Sequence, residues 1–166
     1  GAKSTCSDDP TVVFPRRIVT RHASAAEDHD SLDDGAFDRA VGNGIFSFWW
    51  QAHGFKYGIP RSIDSDIRAG CTIVCNVSRG VVSDVQARFA DVTVVLVTAP
   101  ANVLATRLSG RARASDGPLA ERIQRNDAYL DFRADYTINN TGAANKAVAE
   151  LLQIIKYSKT QKSALP

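Results

Sequence analysis

Residues 44–60, G-I-F-S-F-W-W-Q-A-H-G-F-K-Y-G-I-P, restrict the fold more than any other part of this chain. They contain both tryptophans. Aromatic and polar side chains alternate on either side of Gly54, the pattern of a strand, a tight turn and a second short strand. One face of such a hairpin packs, and the other is expected to present Gln51, His53 and Tyr57 to a ligand. Rings this large need a domain to bury them. The 166 residues, 44% hydrophobic and 23% charged, suit one globular domain with a sizeable core. No apolar run is long enough to span a bilayer, and the first twenty residues lack a signal-peptide core. The expectation is a cytoplasmic protein that binds neither membrane nor nucleic acid, since a net charge of +2 is too small to favour the latter.

Around the hairpin the pattern alternates between strand and helix. Residues 11–20 read as a strand interrupted by Pro15, and 21–30 as polar and irregular. Residues 32–41 suit a short helix, with Ser31 or Asp33 as cap and Gly42 or Gly44 as stop. Pro60 suits the first turn of a helix running to Ala69, with Gly70 just past its end. The apolar runs 72–77 and 92–98 suit buried parallel strands. Residues 83–89 form a helix, and Pro100 opens another carrying Val103, Leu104 and Leu108. Residues 109–117 are a loop rich in Arg and Gly, after which Asp116 caps a helix begun near Pro118. Residues 136–138 form a strand, and 143–157 a helix with Val148, Leu151, Leu152 and Ile155 on one face. The tail 158–166 frays. Strands alternating with helices predict an α/β fold with a parallel sheet, whose ligands bind at the carboxyl ends of the strands. Of the three cysteines, Cys71 and Cys75 lie four apart without partners at zinc spacing, and are expected to be buried thiols.

Several side chains suit phosphate chemistry. Strand alternation puts Arg17 and Arg21 on one face, where two guanidiniums can grip a phosphate bidentately; Arg16 reads as a solvated edge. Tyr57 and His53 flank the hairpin turn, with Gly58 expected to let a ligand approach the backbone. Asn76, Ser78 and Arg79 follow a buried strand, where Ser78 also suits a helix cap. Arg107, Arg111, Arg113, Arg122 and Arg125 fall within nineteen residues, and suit a lid that brings positive charge onto a transferring phosphoryl group. The opening G-A-K-S-T resembles the end of a Walker A loop in Lys3, Ser4 and Thr5, with Ala2 where the glycine before the lysine belongs. Asp8, Asp9 and Pro10 are expected to stop any helix that follows it.

The order of these motifs resembles a family. R-I-V-T-R at 17–21, E-D-H at 27–29, G-x-F at 44–46, A-H-G-x-x-Y-G at 52–58, N-V-S-R-G at 76–80, V-L-V-T-A-P at 95–100, the Arg-rich loop and Y-T-I-N-N at 136–140 run as in guanylate-kinase-like nucleoside monophosphate kinases. The resemblance spans about residues 11–155. It is closer to the branch that phosphorylates ribose 1,5-bisphosphate to 5-phosphoribosyl 1-diphosphate in phosphonate breakdown. Where guanylate kinases carry an acidic base-reading segment, this chain has Asn76, Ser78 and Arg79, which suit a sugar phosphate better than a purine.

The resemblance implies a three-layer P-loop kinase fold with a parallel central sheet, its N-terminal strand and phosphate loop missing or truncated. It implies a single domain over 1–166, with the acceptor region at about 16–60 and a lid at about 109–117. The implied acceptor site is Arg17, Arg21, His53, Tyr57, Asn76, Ser78 and Arg79, with Arg111, Arg113 and Arg122 catalytic. ATP would be held by Lys3, Ser4, Thr5 and Asn140, and Mg²⁺ by Ser4. The implied partners are ATP and a small sugar phosphate; a homodimer is left open, and so is activity of a chain with a broken phosphate loop. The alternatives are a guanylate kinase acting on GMP and a guanylate-kinase-like binding domain without catalysis.

Overall fold

The computed structural model describes residues 2–5, 9–21, 29–100, 102–103, 133–142 and 144–163. The chain divides into two compact units, one of residues 6–81 and one of residues 1–5 with 82–166.

The first unit is built on the aromatic hairpin. Strand β4 (Phe46–Ala52) and strand β5 (Phe55–Pro60) pair antiparallel, joined by the two-residue turn His53-Gly54. Both turn residues have positive φ, 54° and 76°, as a type I′ turn requires, and that twist matches the flanking strands. Strand β2 (Arg17–Val19) pairs antiparallel with β5, and strand β3 (His29–Ser31) lies parallel beyond it, giving the order β3-β2-β5-β4. The expected irregular stretch 21–30 thus ends in a strand. Its short polar sequence gives no period-2 signal, and only pairing with β2 makes it one.

A bulge between Phe46 and Phe48 decides how the sheet packs. Phe46 lies opposite Pro60 and Phe48 opposite Ile59, so Ser47 is the extra residue and the two phenylalanines point to opposite faces. Phe46 stacks on Phe37 at 4.6 Å, whereas Phe48 stacks towards Trp50 at 6.2 Å. The buried Ser47 hydroxyl donates to Asp64 Oδ1 at 2.6 Å, tying the bulge to helix α3 (Ser62–Arg68).

Helix α2 (Asp34–Gly42) is capped by Asp33, whose carboxylate accepts from Ala36 N at 2.6 Å. It buries Phe37 completely against the sheet. Helix α3 begins at Ser62; Pro60 is still the last residue of β5, where its missing N–H costs little at a strand end. The helix closes with Gly70 at φ 83°. Cys71 N bonds Asp66 O and Gly70 N bonds Ile67 O, the paired bonds of a Schellman motif. Strands β1 (Val12–Val13) and β6 (Thr72–Ile73) form a parallel pair. The run 72–77 was expected to be a buried parallel strand; only Thr72–Ile73 pairs as one, and the side chains of the run are half-buried or exposed.

The second unit holds the other parallel pair. Strand β7 (Val95–Thr98) runs beside strand β8 (Tyr136–Asn139) in continuous register from Val95↔Tyr136 to Thr98↔Asn139. Asp135 Oδ2 accepts from Val94 N at 2.7 Å below the pair. Ile138 is buried, while Val97 is 53% exposed. Helix α1 (Ala2–Thr5), helix α4 (Val82–Arg88, entered through a 3₁₀ turn at Arg79–Val81) and helix α5 (Ala144–Ser163) complete the described elements. Helix α5 runs well past Tyr157, so the expected frayed tail is helical to Ser163; it packs against α1 and β8 and buries Ile155. The expected helices after Pro100 and Pro118 and the loop at 109–117 lie outside the described residues, apart from a helical Asn102–Val103. Among the described residues no helix is long and apolar enough to cross a membrane.

Candidate active site

One face of the sheet β3-β2-β5-β4 gathers arginines and rings. Tyr57 stands between Val19 on β2 and Trp50 on β4 in register, so all three point to the same side. Trp50 and Tyr57 stack at 5.3 Å with planes 8° apart. The Arg17 guanidinium lies over the Tyr57 ring at 5.9 Å, and Arg21 over Phe55 at 5.8 Å. Each contact places a cation on a π face. The two cations are thus held on one face of the sheet, each on its own ring, as the alternation at 17–21 predicts.

The backbone under these cations is firmly placed. Thr20 N donates to Lys56 O at 3.0 Å, and Lys56 N donates back to Thr20 Oγ1 at 3.0 Å. The Ser31 hydroxyl donates to Arg21 O at 2.7 Å. Arg16 points elsewhere: it pairs with exposed Asp30 at 2.9 Å and donates to His29 O at 3.4 Å, the solvated edge expected of it.

Two expectations about the hairpin need correction. Gln51 and Tyr57 do not share a face, because Gln51 pairs with Lys56 and Tyr57 with Trp50 in a strict period of two. Gly58 does not open the backbone to a ligand either. A Cβ there would lie 2.5 Å from two Phe46 ring carbons, so the glycine accommodates a core ring. His53 occupies the exposed turn in a left-handed conformation. On the other face the Lys56 ammonium bonds Asp38 at 2.5 Å and reaches Asp34 at 3.5 Å; the bond to Asp38 raises its pKa.

Asn76, Ser78 and Arg79 follow β6 as expected. Asn76 is exposed, Ser78 and Arg79 half-buried, and Ser78 O accepts from Val81 N at 3.1 Å where the 3₁₀ turn begins. Cys71 and Cys75 are free and half-buried. Burial pushes the Cys75 thiol up to about 11, against the opposing field of Arg17. Sequence reasoning did not find Phe55 and Cys75 as neighbours of the arginines, or Trp50 as the ring stacked on Tyr57; the alternation 48-50 and 55-57 was the signal that could have found the rings.

In the second unit, Lys3 lies exposed on α1 with Ser4 and Thr5 in the same helix, and Asn140 N extends the parallel ladder to Thr98 O at 2.7 Å. Arg111, Arg113 and Arg122 lie outside the described residues, as do Arg107 and Arg125. No group of three or more His, Cys, Asp or Glu among the described residues could hold a metal ion.

The chain is similar to curated proteins over nearly all its length. It is 48% identical over 160 residues to the ribose 1,5-bisphosphate phosphokinase PhnN of Rhodopseudomonas palustris, covering 96% of this chain and 81% of that protein. It is 46% identical over 155 residues to the protein of that name from Bradyrhizobium diazoefficiens, covering 93% and 78%. Among solved structures, guanylate kinase from Anaplasma phagocytophilum superposes with a TM-score of 0.69 at 21% identity, over 94% of this chain and 81% of that one. That likeness establishes the α/β fold of guanylate kinases. No protein-family model matches the chain.

Proposed function

The chain belongs to the ribose 1,5-bisphosphate phosphokinase family, and from that premise we propose that it uses ATP to phosphorylate ribose 1,5-bisphosphate. An oxygen of the acceptor's 1-phosphate attacks the γ-phosphorus of ATP in line. The bond to the β,γ-bridging oxygen breaks, ADP leaves, and 5-phosphoribosyl 1-diphosphate forms. Such a transfer asks the protein for positioning and charge neutralisation more than for covalent chemistry.

The observation that carries this reading is the pair of ring-mounted arginines, Arg17 over Tyr57 and Arg21 over Phe55, on one sheet face. Guanidiniums resting on rings of one sheet face suit a doubly phosphorylated acceptor, because their forks match phosphate oxygens. In this reading Arg17, Arg21, Tyr57 and Arg79 hold the acceptor, with His53, Asn76 and Ser78 as further contacts. None of Asn76, Ser78 and Arg79 offers the carboxylate that a guanine N1–H and amino group would seek. Arg111, Arg113 and Arg122 screen the transferred group.

The donor end is assigned by chemistry. The exposed Lys3 ammonium, with hydroxyls next to it in sequence on Ser4 and Thr5, suits nucleotide phosphates and a hydrated Mg²⁺. When bound, the ion neutralises charge on the phosphate oxygens. Asn140 would border the adenine. We place the reaction in the cytoplasm and the site in a single kinase domain.

The test compares kcat/KM of the full-length protein, with ATP, for ribose 1,5-bisphosphate and for GMP. A clear preference for ribose 1,5-bisphosphate is expected, and a preference for GMP overturns the reading.

A further inference from the structure

The arginine face contains an aromatic series that acceptor binding does not by itself require. Phe48 and Trp50 stack at 6.2 Å with planes 23° apart, and Trp50 and Tyr57 at 5.3 Å with planes 8° apart. Tyr57 then carries Arg17 at 5.9 Å. Trp50 is 8% exposed, so its ring is fixed by the core, whereas Tyr57 and Arg17 are half-buried. The series is most buried at Trp50, with half-buried Phe48 on one side and half-buried Tyr57 on the other, and it ends on the cation.

The register explains why Trp50 is the residue that sets the angle. It stands directly opposite Tyr57, where side chains across a strand pair are close enough to fix one another. Val19, on the other side of Tyr57, is 1% exposed but has no flat face to orient a ring. A guanidinium is drawn to the π face of a ring, so turning the ring moves the place the cation prefers.

We propose that Trp50 is a positioning residue for the acceptor: it fixes the plane of Tyr57, and through it the direction in which Arg17 presents its N–H fork. This rests on the reading that Arg17 grips the acceptor. Trp50 itself touches no substrate. Its effect belongs in acceptor affinity and passes wholly through Arg17, which separates it from a residue that only maintains the fold.

The experiment is a double-mutant cycle in the full-length protein with Arg17→Ala and Trp50→Leu, using Trp50→Met, whose unbranched flexible chain adapts to the space without presenting a flat ring, should Trp50→Leu not fold. Trp50→Leu is expected to raise KM for ribose 1,5-bisphosphate about 3- to 10-fold, the size of an aromatic stacking contribution. KM for ATP and kcat should stay within about twofold, and Trp50→Phe should restore most of the loss. In the Arg17→Ala background the same substitution should add less than about twofold. If the Trp50 effect persists there, Trp50 acts independently of Arg17 and the inference fails while the acceptor assignment stands. If Arg17→Ala leaves KM for ribose 1,5-bisphosphate unchanged, the acceptor assignment fails first. A reading that needs no truncation at position 50 uses Trp49→Phe, in which Trp50 is the sole tryptophan of these 166 residues. Its emission should shift when ribose 1,5-bisphosphate is added and should not shift once Arg17 is also alanine; an unresponsive Trp50 overturns the inference.

Discussion

The two faces of the sheet β3-β2-β5-β4 are both lined with aromatic rings and are used differently. On one, Phe46 stacks on Phe37 of α2 at 4.6 Å, Trp49 meets Phe37 edge-on at 6.3 Å, and Lys56 ties the helix down through Asp38 and Asp34. On the other, Trp50 and Tyr57 stack at 5.3 Å and lead to Arg17, while Arg21 rests on Phe55. The first face ends in a fully buried phenylalanine and the second in half-buried cations. Rings of the same kind therefore serve cohesion where a helix covers them and presentation of charge where arginines do. The one-residue bulge at Ser47 allows both uses in a single strand, because it sends Phe46 and Phe48 to opposite sides.

The comparison breaks most readily at Phe37. Phe37→Ala should cost about 3–5 kcal/mol, as for other phenylalanines removed from a packed core. Urea denaturation should show the loss, while KM for the acceptor in the protein that remains folded stays unchanged. A raised KM would mean that the two faces are not separate in function.

Gly58→Ala should be next. Its new methyl would collide with Phe46, and overpacking of this kind costs about 1–3 kcal/mol. The cost should shrink in a Phe46→Leu background, and equal costs in both backgrounds would show that backbone freedom and not the ring demands glycine.

Cys75 probes the arginine face by pH. Its folded thiol titrates at about 11 against an ordinary 9.0, so folding favours the protonated form. The stability from the neutral thiol is fully present below pH 9 and is lost as pH rises through about 11. Over that window the protein should lose about 1–2 kcal/mol more than Cys75→Ala does. Parallel curves would place the thiol in water. The smallest effect sharpens the covered face: Asp33→Ala should cost about 1 kcal/mol through the lost cap on α2, with acceptor KM unmoved.

The hairpin, the broken strand over 11–20, the cap at Asp33, the stop at Gly70 and the short strand at 136–138 were legible because each is a local signal. Alternation, a cap side chain and a glycine in a left-handed turn act within a few residues. The arginine face was half legible. Strand alternation places Arg17 and Arg21 on one side, but nothing local says that Tyr57 and Phe55 lie beneath them, since that follows from the pairing of β2 with β5 across almost forty residues. Strand β3 was missed for the same reason.

The sequence by itself determined the alternating α/β character, the turn, the caps and the family to which the chain belongs, because motif order and local backbone preference are written along the chain. Tertiary structure alone decided which face each ring joined. Gly58 became a seat for Phe46 and not an approach for a ligand, because a single extra residue at Ser47 sends Phe46 and Phe48 to opposite faces, and pairing between distant strands set what lies beneath the arginines.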